Sequence, residues 1–300
     1  MFNLQTHHDS RRFGWVISGL AVLVPVSLVL SASTGSITID WSAVVETIRT
    51  GRPSLDHTIV FELRLPRSVS ALVVGASLSL AGVLMQALLR NPLADPYVLG
   101  TSGGAAVFAL IVMLLGLPTQ SVSLAAAAGA VLSLSLVIFL SRDAGGWSST
   151  RLLLTGIVVA SGWGALISFL LSISQQSQIQ GMLFWLMGDF RDGGPGFVHC
   201  LVLLVVLGFS LFSSRGLNLL VAGTLKAESL GVHTLRLRLA MLIGAGLLTA
   251  VAVTLAGAIG FVGLVVPHMM RLIVGSDHRR LIPASLMMGG SLLVITEMLA

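Results

Sequence analysis

The sequence predicts an all-α fold: a polytopic integral membrane bundle of about nine transmembrane helices in a single domain, residues 1–300, with a cytoplasmic N-terminus. Three observations carry that reading. Hydrophobic residues make up 55% of the chain and charged residues 10%, against roughly 25% charged in a soluble domain, so too little charge is present to cover a water-facing surface. Apolar runs of about 20 residues, the length that crosses a bilayer with every backbone group satisfied, recur nearly end to end. The basic residues fall mostly on alternate breaks between those runs.

The first run, 13–32, follows Arg11 and Arg12 and precedes Ser31-Ala32-Ser33, a pattern that superficially resembles a secretory signal. Its near-spanning length and the spans that follow it favour an uncleaved first helix. The second run, 68–89, carries Gly75, Ser79 and Gly82 close to one face, where small side chains let helix backbones approach. Runs 97–117, 121–141 and 152–173 come next. In the last of these Gly156, Ala160 and Gly164 recur at i+4. Ser161, Ser168 and Ser172 share a face of the same helix. Such hydroxyls either bond to their own helix's carbonyls or line a polar route, so Ser161, Gly164, Ser168 and Ser172 are the pathway candidates.

The stretch from Gly181 to Phe190 is too short to span and fits the interface. Runs 195–213, 237–256, 258–274 and 281–300 complete the nine. The eighth is short and begins among glycines, which predicts a broken helix or a turn shared with the seventh. With the N-terminus inside, twelve of the 17 Lys and Arg fall on the cytoplasmic side. The other side holds Arg49, Arg52, Arg64, Arg67 and Arg191. That asymmetry sets the orientation.

Several function classes are excluded by what the chain lacks. A sequence pI near 10.9 invites a nucleic-acid reading, but the basic residues are scattered singly between apolar runs and form no stripe, so no nucleic acid is expected. Its one lysine, Lys226, lies in Gly223-Thr224-Leu225-Lys226-Ala227, which is not a phosphate-cradling loop. The chain is therefore not expected to be an enzyme or to hydrolyse nucleotide. Among seven histidines, the adjacent His7 and His8 in a polar tail are the nearest to a ligand pair, and no metal site is expected. The lone Cys200 permits no disulfide within the chain. Acidic residues lie almost wholly outside the spans, with Glu297 alone at membrane depth, so an ion-coupled secondary transporter, the alternative reading, lacks the usual driving-ion ligands.

Two segments resemble signatures of the FecCD family, the permease subunits of ABC importers for iron–siderophores, haem and cobalamin. The first runs Arg64-Leu65-Pro66-Arg67, then Gly75 to Gly82, Gln86, and Arg90-Asn91-Pro92-Leu93-Ala94-Asp95-Pro96 with Leu99-Gly100. The second runs from Gly257 through Gly260-Phe261-Val262-Gly263 to Pro267-His268, then Arg271 and Asp277-His278-Arg279. The resemblance extends from about residue 15 to the end. It implies a bacterial inner-membrane protein of about ten helices that pairs with a second permease copy or a paralogue. It also implies two cytoplasmic ATPase subunits and a periplasmic or lipid-anchored binding protein. ATP would be used by the partner subunits, with no cofactor bound by this chain. Substrate would move inward by alternating access, and family frequency alone puts an iron–siderophore first among cargoes.

The resemblance also places residues. Arg64 and Arg67 match arginines at the outer mouth that face acidic groups on the binding protein. Thr224 to Val232 match the segment that sits in a cleft on the ATPase. Within it Leu225, Ala227, Leu230 and Gly231 offer a small apolar face, with Glu228 and Ser229 beside them. Asn91, Pro92, Asp95, Pro96, Gly260, Gly263, Pro267, His268 and Arg271 are expected to be structural, the prolines because each pushes its predecessor out of helical geometry. Relatives continue with a Glu-Leu-Pro-x-Gly-type turn and a final helix, whereas this sequence stops at Ala300, so the tenth helix is expected to be missing from it, through a fragment or a truncation.

Overall fold

The computed structural model describes residues 2–35, 39–50, 54–141, 148–190 and 194–299, with side chains from Arg12 onward. Arg52, Arg142, Arg191 and the side chain of Arg11, all used in the orientation argument, lie outside the described residues. The elements run α1 Phe2–Ser33, α2 Trp41–Thr50 and α3 Leu55–Thr58, then a π-helical stretch Ile59–Arg64 that leads directly into α4 Leu65–Leu89. A 3-10 turn, Pro96–Leu99, precedes α5 Thr101–Leu114, α6 Thr119–Ser141, α7 Ser149–Ile173 and α8 Gln176–Met187. After them come α9 Phe197–Phe212, α10 Ser214–Ala222, α11 Thr224–Ser229, α12 Thr234–Ala256, α13 Val262–Val274 and α14 His278–Leu299. Every regular element among the described residues is helical.

Six of the nine predicted spans form helices long and apolar enough to cross a membrane: α1, α4 with its π-helical lead-in, α6, α7, α12 and α14. The other three differ. The sixth predicted span ends in a bend of 61° at which α9 gives way to α10, so the pair makes a seventh crossing only if taken together. The third and eighth shorten to α5, 14 residues, and α13, 13 residues. The physical reason lies at their ends. Gly100 (φ +67°) follows the 3-10 turn and opens α5, and Gly116 (φ +65°) follows its C-terminus. The chain leaves α12 through Gly257 (φ +67°) and enters α13 from Phe261, which also holds a left-handed φ of +67°.

At the centre stands α4, which packs chiefly against α14 and α12 and then against α13. Backbone approach there is close enough to require glycine. A Cβ on Gly75 would strike the Gly289 carbonyl of α14, and one on Gly82 would strike the Gly263 carbonyl of α13. Gly104 of α5 and Gly129 of α6 face each other's carbonyls in the same way. Lipid offers no hydrophobic drive for helices to associate, so such small-residue contacts carry much of the packing. A polar tie joins three further helices: Trp163 Nε1 donates to Ser133 Oγ at 2.8 Å, and Ser133 Oγ donates to the Gly100 carbonyl at 2.8 Å.

Candidate functional site

The docking and coupling residues expected from the sequence collect at the two ends of α4. At its N-terminal end the π-helical turn and the first turn of α4 set Arg64 and Arg67 beside the end of α1. Arg64 Nη1 donates to the Ala32 carbonyl at 3.2 Å. Arg67 is held from two sides: its Nε lies 2.8 Å from Glu297 Oε1 at the end of α14, and its Nη2 lies 3.6 Å from Asp189 Oδ1, just past α8. Glu297 is nearly buried, with a side chain 11% exposed against 62% for Asp189. Ser31 Oγ donates to Glu297 Oε2 at 3.1 Å and shares a 2.7 Å hydrogen bond with Ser68. The carboxylate at membrane depth is thus paired, and Arg67 is shared between two internal partners while 40% of its side chain stays exposed.

At the other end α4 stops on Arg90, whose φ of +50° is left-handed and serves as the C-cap. A non-glycine residue there costs of order 1 kcal/mol, and the arginine side chain has a use. Arg90 Nη2 and Arg238 Nη2, the latter from the start of α12, both donate to Thr224 Oγ1, at 2.6 and 2.7 Å. Thr234 Oγ1 donates to Glu228 Oε1 at 2.6 Å, and the Val232 amide donates to the Ala227 carbonyl at 3.0 Å. The segment Thr224–Gly231 is therefore strapped onto α4 and α12 rather than lying loose. Its apolar face differs from the expected one. Leu225 and Leu230 project outward, 83% and 60% exposed, whereas Ala227 is fully buried and belongs to the inner side.

The motif residues form the joints between these ends. Asn91 Oδ1 accepts from the Leu93 amide at 3.0 Å, and Asp95 Oδ1 accepts from the Tyr97 amide at 2.7 Å, capping the 3-10 turn. Burial pushes the Asp95 carboxyl above its ordinary range, an effect the Tyr97 N–H offsets only in part. Pro96 packs on Gly263, while Gly260 has open space around it. Arg271 Nη2 donates to Gln86 Oε1 at 3.1 Å, and Gln86 Nε2 donates to the Leu264 carbonyl at 3.0 Å, which fixes α13 to α4. Pro267 is buried within α13, and His268 Nδ1 is buried without a hydrogen-bond partner among the described residues.

Along α7, Ser161 Oγ donates to the Ile157 carbonyl at 2.9 Å and Ser168 Oγ to the Gly164 carbonyl at 3.1 Å. These two hydroxyls thus take the own-backbone alternative. Ser161, Gly164, Ser168 and Ser172 share an exposed face, and nothing lies within 4 Å of a Cβ placed on Gly164. Gly156 on the opposite side packs against the Val98 carbonyl.

Sequence reasoning missed two clusters. One is the Arg67–Glu297–Asp189 arrangement, whose partners lie more than a hundred residues away along the chain. The other ties α10 to the turn before α14: Asn218 Nδ2 donates to Asp277 Oδ1 at 2.7 Å, and the His278 amide donates to Asn218 Oδ1 at 3.0 Å. Burial alone would raise the Asp277 carboxyl. The Asn218 amide, the Arg279 N–H and the charges of Arg279 and Arg280 outweigh it and hold the group below its usual range. An asparagine among the leucines of a short amphipathic helix was the available signal.

Six helices long and apolar enough to cross a membrane, with a bent helix pair beside them, make a membrane-spanning helical bundle. The chain belongs to the FecCD transport family, which matches it over residues 23–300. It is 36% identical over 308 residues to a protein of Bacillus subtilis (strain 168) named as an uncharacterized ABC transporter permease, YvrB, spanning 97% of this chain and 86% of that one. The vitamin B12 import system permease protein BtuC of Klebsiella pneumoniae subsp. pneumoniae is 36% identical over 300 residues, covering 98% and 87%. The cobalamin import system permease protein BtuC of Halobacterium salinarum is 40% identical over 253 residues, covering 83% and 68%. A solved structure described as a metal-chelate type ABC transporter in an inward-facing conformation superposes with a TM-score of 0.83 at 28% identity, covering 96% of this chain and 90% of that one.

Proposed function

We propose that this chain is the membrane-spanning subunit of an ATP-driven importer that carries a cobalamin-type or other chelated-metal compound into the cytoplasm. The observation that carries the reading is the placement of two charged constellations at opposite ends of one buried helix. Arg64 and Arg67 stand at the N-terminal end of α4, and Arg90 grips the Thr224–Gly231 segment at its C-terminal end. A binding protein docking at one end and an ATPase at the other would be linked through α4, a rigid element of the sort that transmits domain movement. The exposed Leu225 and Leu230 suit insertion into a cleft on the ATPase.

The remaining features belong to the same proposal. The N-terminus is cytoplasmic on the distribution of basic residues. The location is the bacterial inner membrane, and the transporter holds two permease copies and two ATPase subunits, with alternating access as the mechanism. Among cargoes, the relatives named for cobalamin and vitamin B12 import move a corrinoid ahead of an iron–siderophore. The test is co-purification from membranes with the ATPase subunit, comparing the wild-type chain with Leu230→Asp. A complex present in the wild type and lost in the variant, with the variant still folded, supports the reading and places the coupling surface. Equal recovery of both, or of neither, contradicts it.

A further inference from the structure

Arg67 makes two unequal contacts with carboxylates of its own chain. The Glu297 contact is short, at 2.8 Å, and its carboxylate is nearly buried and further held by Ser31; the Asp189 contact is long, at 3.6 Å, and exposed. We propose that an acidic side chain of the docking binding protein displaces Asp189 from Arg67, while Glu297 stays in place and orients the guanidinium. This rests on the reading of Arg67 as a docking residue. Glu297 is then a positioning residue, and Asp189 is an internal stand-in for the partner's carboxylate.

The energetics separate the two carboxylates. An exposed ion pair is worth at most about 1 kcal/mol, so an incoming carboxylate can replace Asp189 at little cost. Glu297 is nearly buried and already accepts from Ser31 Oγ, so removing its ion-pair partner would leave a shielded carboxylate uncompensated, which is more expensive. Exchange therefore takes place on the Asp189 side. What moves is set by where Asp189 sits. It follows Gly188 (φ +84°), the C-cap of α8, and its amide donates to the Ala256 carbonyl at the end of α12. Asp189 itself lines a cavity of about 230 Å³ between α8 and α12, together with Gly181, Trp185, Thr254 and Gly257. Loss of the ion pair removes one tie on the end of α8 and leaves the Asp189 amide on the Ala256 carbonyl as the other, so this turn is the element that loosens once Arg67 is taken. Docking would thus be reported to α8, the short helix packed against α5.

The experiment uses the assembled transporter in lipid nanodiscs and the soluble binding protein recovered with it, at low ionic strength. Affinity is measured for Asp189→Asn, Glu297→Gln and Glu62→Gln, the last an exposed carboxylate on the turn before Arg64. Charge removal alone would tighten binding of an acidic partner in all three. The proposal instead expects Asp189→Asn to bind about twofold to fivefold tighter, the worth of one exposed pair. It expects Glu297→Gln to bind about tenfold weaker through loss of orientation, and Glu62→Gln to change little. Hydrogen exchange at residues 182–189 should rise in Asp189→Asn without partner, to the level the wild type reaches with partner bound; this readout stands even if Glu297→Gln folds poorly. Tightening no greater than in Glu62→Gln, weaker binding by Asp189→Asn, or unchanged exchange in α8 overturns the exchange. Unchanged affinity in Arg67→Gln would instead sink the docking reading on which it rests.

Discussion

Helices α4 and α7 are each 25 residues long and equally apolar, yet α4 is largely buried and α7 mostly exposed. Hydropathy therefore says that both cross the membrane and nothing about which one the bundle is built around. The difference lies in the partners of their glycines. Gly75 and Gly82 each meet a carbonyl of another glycine, on α14 and α13, whereas in α7 only Gly156 meets a carbonyl, that of Val98, and Gly162 and Gly164 meet nothing. Small residues make a core helix only when matched by small residues on its neighbour. An unmatched set leaves a smooth outer face.

That contrast can be broken by substitution, the strongest test first. In Gly82→Val the new side chain would overlap the Gly263 carbonyl, and backbone cannot yield as a side-chain tip can. A loss of about 3 kcal/mol is expected, read as a collapse of the monodisperse peak in detergent at modest temperature. Next comes Gln86→Leu, which strips the Arg271 guanidinium and the Leu264 carbonyl of a shared partner. Thermal unfolding should show a loss of about 1–3 kcal/mol. Further out, Asp277→Asn should cost about 0.5 kcal/mol near neutral pH, discounted for partial exposure. Because the folded carboxyl titrates below its ordinary value of 3.8, its contribution is present above that pH and is lost as pH falls through the folded value. Wild type and variant should therefore converge in acid. Smallest is Gly164→Ala, expected within about 0.5 kcal/mol of wild type; a large loss there would mean that α7 is not the smooth outer face described.

The fold class and most helices were legible because bilayer thickness imposes a length that composition alone reveals. What stayed hidden were the places where helices stop short. Nothing in the apolar run 97–117 announces that α5 begins only at Thr101, because the Pro96–Leu99 turn is itself apolar and buried in part. The bend at Ser213 was legible as the end of the sixth span, at Ser213-Ser214-Arg215-Gly216, but not the short helix that follows it. At the site, the motif residues led to both ends of α4, but not to how they are held. Arg67 reads as an open rim arginine until the fold brings Glu297 and Asp189 to it. Ala227 reads as part of an apolar patch until the segment's inner side is known. Pairing across more than a hundred residues is a tertiary fact, and one sequence does not record it.

The central claim is ATP-driven inward transport, and one measurement addresses it directly. Proteoliposomes containing the assembled permease and ATPase, with binding protein outside and ATP within, are supplied with labelled cyanocobalamin. The account predicts accumulation that requires internal ATP and is abolished by Leu230→Asp. Accumulation that persists without ATP and collapses on adding an uncoupler would contradict it.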